Sequence, residues 1–201
     1  MSSEPYEGSD ALTSFDTVID IAIPKYEEGV ARARSVTPST MQSMAGVLIP
    51  QVFSLTFAVR ALVRDGFLFS AHVLLRPLIE RVCILMYLDR YPSEIEIWKR
   101  GWKHGEAPSL SRMFDKLKAP FPNLADVTGS QMTSDLNGLV HGKPEAAHWN
   151  LTGLGHSPGL IRDNPELCDI VCRQAAHYLA VTTLLIGRYF PDASPQRTDS
   201  P

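Results

Sequence analysis

The sequence predicts an all-α fold, a helical bundle of about five to seven helices with a long irregular loop before the C-terminal helix. Apolar residues recur at three- and four-residue spacing over most of the chain, as they do on the buried face of a helix. Capping residues, glycines and prolines separate these apolar runs. Residues 148–152 are the best candidate for a strand, and no alternating run is long enough to predict a sheet.

Local signals set the limits of each predicted helix. Pro24 is expected to kink or split the first helix, and Pro50 to bend the second. Ser39 or Thr40 is expected to cap the second helix, and Pro165 suits the first turn of the last one. In chain order, the longer helices are predicted at 13–34, 40–65, 67–90, 109–118, 130–140 and 165–189.

A short amphipathic helix is predicted after the third long one. Ser93 would cap this helix, and Glu96 would complete a capping box with Ser93. Trp98 and Trp102 would lie one turn apart on its apolar face. Residues 142–165 contain four glycines and three prolines, and this composition predicts the irregular loop.

Composition indicates one soluble helical domain over residues 11–191. The chain has 201 residues, of which 44% are apolar and 20% charged, so it is long enough to bury a core. Residues 1–10 and 192–201 are rich in serine, proline and acidic residues and are predicted to be disordered. The apolar stretches 47–63 and 67–88 contain charged side chains, which are costly in a bilayer, so we expect buried helices and no membrane span.

The charge balance argues against a general nucleic-acid-binding protein. The chain carries 19 basic and 22 acidic residues, a net charge of -3, with no basic run and no DNA-binding motif. An RNA contact made by a few arginines stays compatible with these totals. Three cysteines cannot form a complete disulfide framework, and the N-terminus lacks a signal-peptide pattern. We therefore expect a cytoplasmic protein.

The third helix carries a polar stripe on an otherwise apolar sequence. His72, Arg76 and Glu80 follow one another at four-residue spacing, so they share one face. Arg76 and Glu80 could neutralise each other as a structural ion pair. Alternatively, Arg76 would hold a phosphate or carboxylate, and Glu80 would orient the arginine or act as a base. His72 and Arg81 are the predicted ligand-binding residues beside this pair.

A second candidate position is His141, at the end of the predicted helix 130–140. The helix dipole is negative there, which favours a protonated imidazole and makes His141 a candidate proton donor. Asn137 lies one turn earlier on the same helix. Alternatively, His141 is a structural residue whose tautomer is fixed by Glu80 or Asp135.

The sequence predicts no metal and no cofactor. Cys168 and Cys172 are spaced to share a metal only if His141, His148 or His156 came within reach. Such a pair on an amphipathic helix is more often two small core residues. The chain contains no zinc-protease, CxxC, EF-hand, Walker or dinucleotide-binding motif.

The order of these motifs resembles a group of uncharacterised bacterial all-helical domains of HEPN-like appearance, some encoded near phage-defence genes. The resemblance rests on Leu-Leu-Arg-Pro-Leu-Ile-Glu at 74–80, Met-Tyr-Leu at 86–88 and Leu-Asn-Gly-Leu-Val-His-Gly at 136–142. It covers roughly residues 40–190. The resemblance implies a homodimer in which an arginine and a histidine from two protomers cleave RNA without metal.

The HEPN pattern carries over residue by residue only in part. His141 matches the histidine of that pattern, and Asn137 matches its polar position. The arginine position nearby holds Asp135 or Leu136. Arg76 from the other helix could supply the missing guanidinium.

Three classes of function follow from these observations. The first is a HEPN-like defence or toxin–antitoxin component that acts on or binds RNA or a nucleotide. If it is an enzyme, His141 is the general acid-base, Arg76 the phosphate contact, and the reaction a metal-independent, ribonuclease-like phosphodiester transfer. The second is a non-catalytic interaction module, such as an immunity or antitoxin-like protein with a protein partner. The third is a small-ligand sensor with an apolar cavity bordered by Arg76 and Glu80.

Overall fold

A computed structural model describes residues 4–35, 37–103, 105–118, 130–141, 143, 151–152, 155–156 and 164–191. Within these ranges the protein is an all-α bundle, as the apolar spacing predicts. The α-helices are, in chain order, α1 (Asp10–Arg34), α2 (Thr40–Arg64), α3 (Leu68–Arg90), α4 (Ile95–Lys99), α5 (Leu110–Leu117), α6 (Ser130–Val140) and α7 (Pro165–Tyr189). A 3-10 turn, Pro92–Glu94, precedes α4.

Two two-residue strands lie in the region predicted as an irregular loop. β1 (Leu151–Thr152) pairs antiparallel with β2 (Gly155–His156), and Leu151 is opposite His156. The predicted strand at 148–152 therefore forms at its last two residues, and its first three lie outside the described residues. The predicted disordered tail 192–201 also lies outside them.

The helix caps follow the sequence signals closely. Ser39 caps α2 and forms a full capping box with Gln42. Ser109 caps α5. Asn164 caps α7, and Pro165 occupies the first turn of that helix. These side chains satisfy backbone N–H groups that have no partner inside a helix, so they set where each helix begins.

The capping box predicted for the short helix does not form. Ser93 lies within the 3-10 turn, and α4 begins at Ile95 without a side-chain cap. Glu96 pairs instead with Lys99 at 3.0 Å. Trp102 lies beyond the end of α4, so it does not extend the helix face of Trp98. Ser93 is thus inside the turn and does not occupy the N-cap position from which its side chain could accept from a backbone N–H of α4.

Residues 4–9, within the segment predicted to be disordered, contact the bundle. Tyr6 is buried, with 7% of its surface exposed. The Glu4 carboxylate accepts hydrogen bonds from Arg60 of α2. Ser9 caps α1 and also donates to Asp169 of α7 at 3.1 Å. The polar composition of this segment concealed one aromatic anchor and one ion pair, which together hold it against the bundle.

α3 is the central helix of the bundle. It packs against α2 and α7 and also contacts α5 and α6, while α1 packs on α7. Leu75, Leu78, Ile79 and Val82 of α3 are completely buried. A helix that is apolar on nearly every side suits this position because neighbours cover most of its surface.

Two helices are long and apolar enough to cross a membrane by length and composition. α2 has a mean hydropathy of 1.7 in its most apolar window and α7 has 1.2, and in each window 39% of residues are buried within the bundle. The core helices of soluble proteins pass the same test. α2 contains the apolar stretch 47–63 considered in the sequence, whereas α3, which covers nearly all of the stretch 67–88, is not one of these two helices.

Candidate functional site

The packing of α6 on α3 brings two predicted site residues together. Leu136 and Leu139 of α6 are buried, so this face of α6 turns towards the bundle. Asn137 lies between them and is half-buried. The Arg76 guanidinium of α3 donates a hydrogen bond from Nη1 to Asn137 Oδ1. The sequence predicts both residues as site residues, and the structure places them in direct contact.

The ion pair predicted between Arg76 and Glu80 is not formed. Among the described residues, Arg76 has no carboxylate within ion-pair distance, and Glu80 lies 3.6 Å from Arg81 instead. Four-residue spacing allows an ion pair between Arg76 and Glu80 along α3, but the guanidinium instead donates to the amide oxygen of Asn137 on α6. Because the amide of Asn137 is neutral, this contact does not compensate the positive charge of Arg76.

His141 lies at the C-terminal end of α6 with an exposed side chain. Its backbone N–H donates to the Asn137 carbonyl at 3.0 Å, so it follows Asn137 by just over one helical turn, about 6 Å along the axis. The N–H of Lys143 turns back to the Gly138 carbonyl at 2.9 Å and closes the helix end. Lys143 is exposed as well, so two basic side chains emerge at this end.

Two further predicted site residues, His72 and Arg81, have other surroundings in the bundle. His72 is buried, with 4% of its surface exposed, so it belongs to the core in this conformation. Arg81 donates to Gln51 Oε1 of α2 at 3.3 Å and to the Pro77 carbonyl at 3.4 Å. It therefore links α3 to α2, whereas Arg76 links α3 to α6.

A buried thiol lies next on the polar stripe of α3. Cys83 has no exposed surface. Burial raises its pKa strongly, the negative charge of Glu80 raises it further, and the positive charge of Arg76 opposes the shift. The thiol is therefore neutral at physiological pH, and Cys83 is not a candidate nucleophile.

Within the described ranges, no group of three or more metal-ligating side chains is close enough to hold a metal ion. Cys168 and Cys172 are buried in α7 with their sulfur atoms 3.9 Å apart. His141 is exposed at the end of α6, His148 lies outside the described residues, and the side chain of His156 is not described. The two cysteines are core residues of α7, the more frequent alternative for this spacing.

An ion-pair cluster on α2 was not predicted as a unit. Arg60 donates to both carboxylate oxygens of Asp16, the longer contact being 2.9 Å, and to both oxygens of Glu4. These two carboxylates raise the Arg60 pKa, and partial burial opposes the rise. In the sequence, Arg60 is a single arginine in an otherwise apolar stretch, which indicates a charged contact but does not identify Asp16 and Glu4 as its partners.

Comparison of the chain with protein-family models, with curated proteins and with solved structures finds no match. The function of the α3–α6 contact is therefore inferred from the residues of the contact alone. An arginine without a carboxylate partner among the described residues suits an anion, and phosphate oxygens match the guanidinium fork. An exposed imidazole one turn from the partner of that arginine can exchange a proton with a bound group.

Proposed function

We propose that the α3–α6 surface binds an RNA backbone phosphate, with Arg76 as the phosphate contact and His141 as the proton-transfer residue. The observation that carries the proposal is the hydrogen bond from Arg76 to the neutral side chain of Asn137. This contact orients the guanidinium without cancelling its charge, so a phosphate can take up its remaining donors. In HEPN-like terms, α3 supplies the arginine that the helix bearing the histidine lacks.

The proposed reaction is a metal-independent phosphodiester transfer. The ribose 2′-oxygen attacks phosphorus and loses its proton to water, the bond from phosphorus to the 5′-oxygen breaks, and His141 donates a proton to that leaving oxygen. Arg76 stabilises the charge that develops on the non-bridging oxygens. Lys143 adds a second basic side chain close to His141 along the chain.

Binding and cleavage are tested on the same full-length protein. Binding of a fluorescent single-stranded RNA is followed by anisotropy at several salt concentrations, and cleavage is followed on a gel in the presence of EDTA. Arg76→Gln should weaken binding and reduce the salt dependence of log K by about 0.7, the value for one phosphate contact on a single strand. His141→Gln should abolish cleavage while binding is retained.

The matched control is Arg112→Gln, which removes an exposed arginine from α5. Its binding should equal that of the wild type. Binding without cleavage in the wild type would leave a phosphate-binding protein and remove the enzymatic part of the proposal. If the wild-type protein does not bind RNA, the proposal fails at its first step.

A second candidate function, a protein-interaction module that forms a homodimer, is favoured by exposed apolar side chains. Val140, directly before His141, is 46% exposed, and Leu184 of α7 is 77% exposed. Exposed apolar residues mark a protein-binding surface where they form a contiguous patch, so this function requires that Val140 or Leu184 belong to such a patch. Light scattering during size-exclusion chromatography measures the oligomeric state, and Val140→Asp should shift a dimer through α6 to a monomer. With either function, we propose a cytoplasmic location for the protein.

A further inference from the structure

A groove separates the C-terminal half of α1 from the N-terminal half of α2. Both helices pack on α7, and the space between them has a volume of about 290 Å³. Its lining is almost wholly apolar and includes Val30, Ala33, Ile49, Pro50, Ile186 and Phe190. This volume lies at the lower end of the range for small-molecule sites, about 300–1,000 Å³.

One end of the groove carries a charge. Arg34, in the last turn of α1, is the single charged residue of its described lining. Among the described residues Arg34 forms no ion pair, whereas Lys25 and Arg32 of the same helix both pair with Glu28, at 3.0 Å and 3.6 Å. The opposite end lies at Tyr26, whose ring stacks on Phe53 with the centroids 4.5 Å apart. From Tyr26 to Arg34 the groove extends about 12 Å along α1.

Residues 192–201, which follow the groove residue Phe190, carry no large apolar side chain that could fill this groove. Phe190 lines the groove, and residues 192–201 that follow contain only Asp, Ala, Ser, Pro, Gln, Arg and Thr. None of these is a large apolar side chain. The groove is therefore suited to a separate apolar molecule.

We propose that this groove binds a single-chain fatty acid of medium length, with the acyl chain along the apolar lining and the carboxylate at Arg34. The apolar lining matches the chain, and the positive charge at one end matches the head group. The volume matches one acyl chain and not the two chains of a phospholipid. This site is separate from the α3–α6 surface, since α3 and α6 contribute no residue to its lining.

Gly46 provides a variant that blocks the groove from within. A Cβ atom added at Gly46 would meet no atom within 4 Å, because the glycine faces the open space of the groove. Gly46→Leu should therefore fill the groove and weaken fatty-acid binding by at least about tenfold. Gly187→Leu is the matched control, since a Cβ there also meets no atom within 4 Å and Gly187 lies outside the lining.

The experiment measures binding of decanoate to the full chain by calorimetry, below the micelle concentration of decanoate, with decyltrimethylammonium as the ligand of opposite charge. Wild type and Gly187→Leu should bind decanoate saturably at one site and bind the cationic ligand more weakly. Arg34→Gln should weaken decanoate binding by about two- to fivefold, as for one exposed ion pair, and remove the preference between the two ligands. A thermal melt of each variant confirms that it folds.

Three results would overturn the proposal. The first is the absence of saturable decanoate binding to the wild type. The second is unchanged affinity in Gly46→Leu, which would place any bound decanoate elsewhere on the protein. Equal binding of the two ligands by the wild type would contradict the role of Arg34 and with it the choice of an anionic head group.

Discussion

Ile186 of α7 packs directly on the backbone of Gly29 in α1. A Cβ atom at Gly29 would lie 2.7 Å from Ile186 Cγ2, closer than two carbon atoms can approach. Gly29 is buried within a helix that is otherwise regular. Glycine at this position therefore allows α1 and α7 to come together, since no side chain separates them.

We expect Gly29→Ala to destabilise the protein. Overpacking costs about 1–3 kcal/mol, which exceeds the gain of about 1 kcal/mol from replacing glycine in a helix. Gly46→Ala is the control, because its Cβ meets no atom within 4 Å and only the helix-propensity gain applies. The free energy of unfolding, measured by urea unfolding, should be lower than that of the wild type in Gly29→Ala and higher in Gly46→Ala. Equal shifts of the same sign would show that the α1–α7 contact can relax.

The contact between Arg76 and Asn137 gives a prediction that separates charge from packing. Asn137→Asp keeps the shape of the side chain and places a carboxylate where the amide oxygen accepts from Arg76. The resulting ion pair should neutralise the guanidinium, so RNA affinity should fall to about the level of Arg76→Gln. The midpoint of thermal unfolding should not decrease, because a charge-assisted hydrogen bond replaces a weaker one.

RNA affinity and the midpoint of thermal unfolding are measured on the same samples of each variant. Ser134→Asp, which adds a carboxylate at an exposed position of α6, controls for the extra negative charge alone. If Asn137→Asp and Ser134→Asp reduce RNA binding equally, the effect is general repulsion and not the loss of a free guanidinium.

The limits of the helices could be predicted because they depend on neighbouring residues. Ser39 and Ser109 cap their helices through bonds that reach only three residues along the chain. Pro24 was expected to kink or split the first helix, yet α1 continues through it as one element. Pro24 and Asp20 are both exposed, so water can solvate the Asp20 carbonyl that has lost its N–H partner.

The partners of charged residues could not be predicted because they depend on the packing of distant helices. Arg76 contacts a residue 61 positions away, and Arg60 contacts residues 44 and 56 positions away. Helical spacing indicates which residues share a face, but not which neighbour that face meets. The sequence therefore identified Arg76 and Asn137 as site residues on separate grounds, but the Glu80 partner that it offered as one alternative for Arg76 is wrong.

The cluster of Arg60, Asp16 and Glu4 should make a measurable contribution to stability. Arg60 has 21% of its side chain exposed and binds two carboxylates, one from α1 and one from the N-terminal segment. Arg60→Gln should lower the free energy of unfolding by about 1–2 kcal/mol, less than for a fully buried pair because solvent screens it in part. Arg64→Gln is the control, since Arg64 is 61% exposed and pairs only with its neighbour Asp65. That control should change stability by less than about 0.5 kcal/mol.

This prediction extends to the N-terminal segment, since Glu4 is held by Arg60. In Arg60→Gln, limited proteolysis should cut the chain before α1 faster than in the wild type, because residues 4–9 lose one of their anchors. Tyr6 remains buried as the other anchor. Unchanged cleavage would show that Tyr6 and the Ser9–Asp169 hydrogen bond hold the segment without Arg60.

The last prediction concerns the pH dependence of stability and rests on His177 of α7. Burial lowers the pKa of His177 below its ordinary value of 6.5, because the charged imidazolium is poorly solvated there. Its ring lies edge-on to Tyr178, with the centroids 5.1 Å apart. The folded protein thus binds this proton more weakly than the unfolded chain does. The contribution of His177 to stability is complete above about pH 6.5 and is lost as the pH falls towards the lower pKa of the folded state.

His177→Phe keeps an aromatic ring but cannot be protonated, so its free energy of unfolding should fall less than that of the wild type between about pH 7 and pH 5. Chemical denaturation at several pH values measures the difference between the two curves, and parallel curves would contradict the lowered pKa.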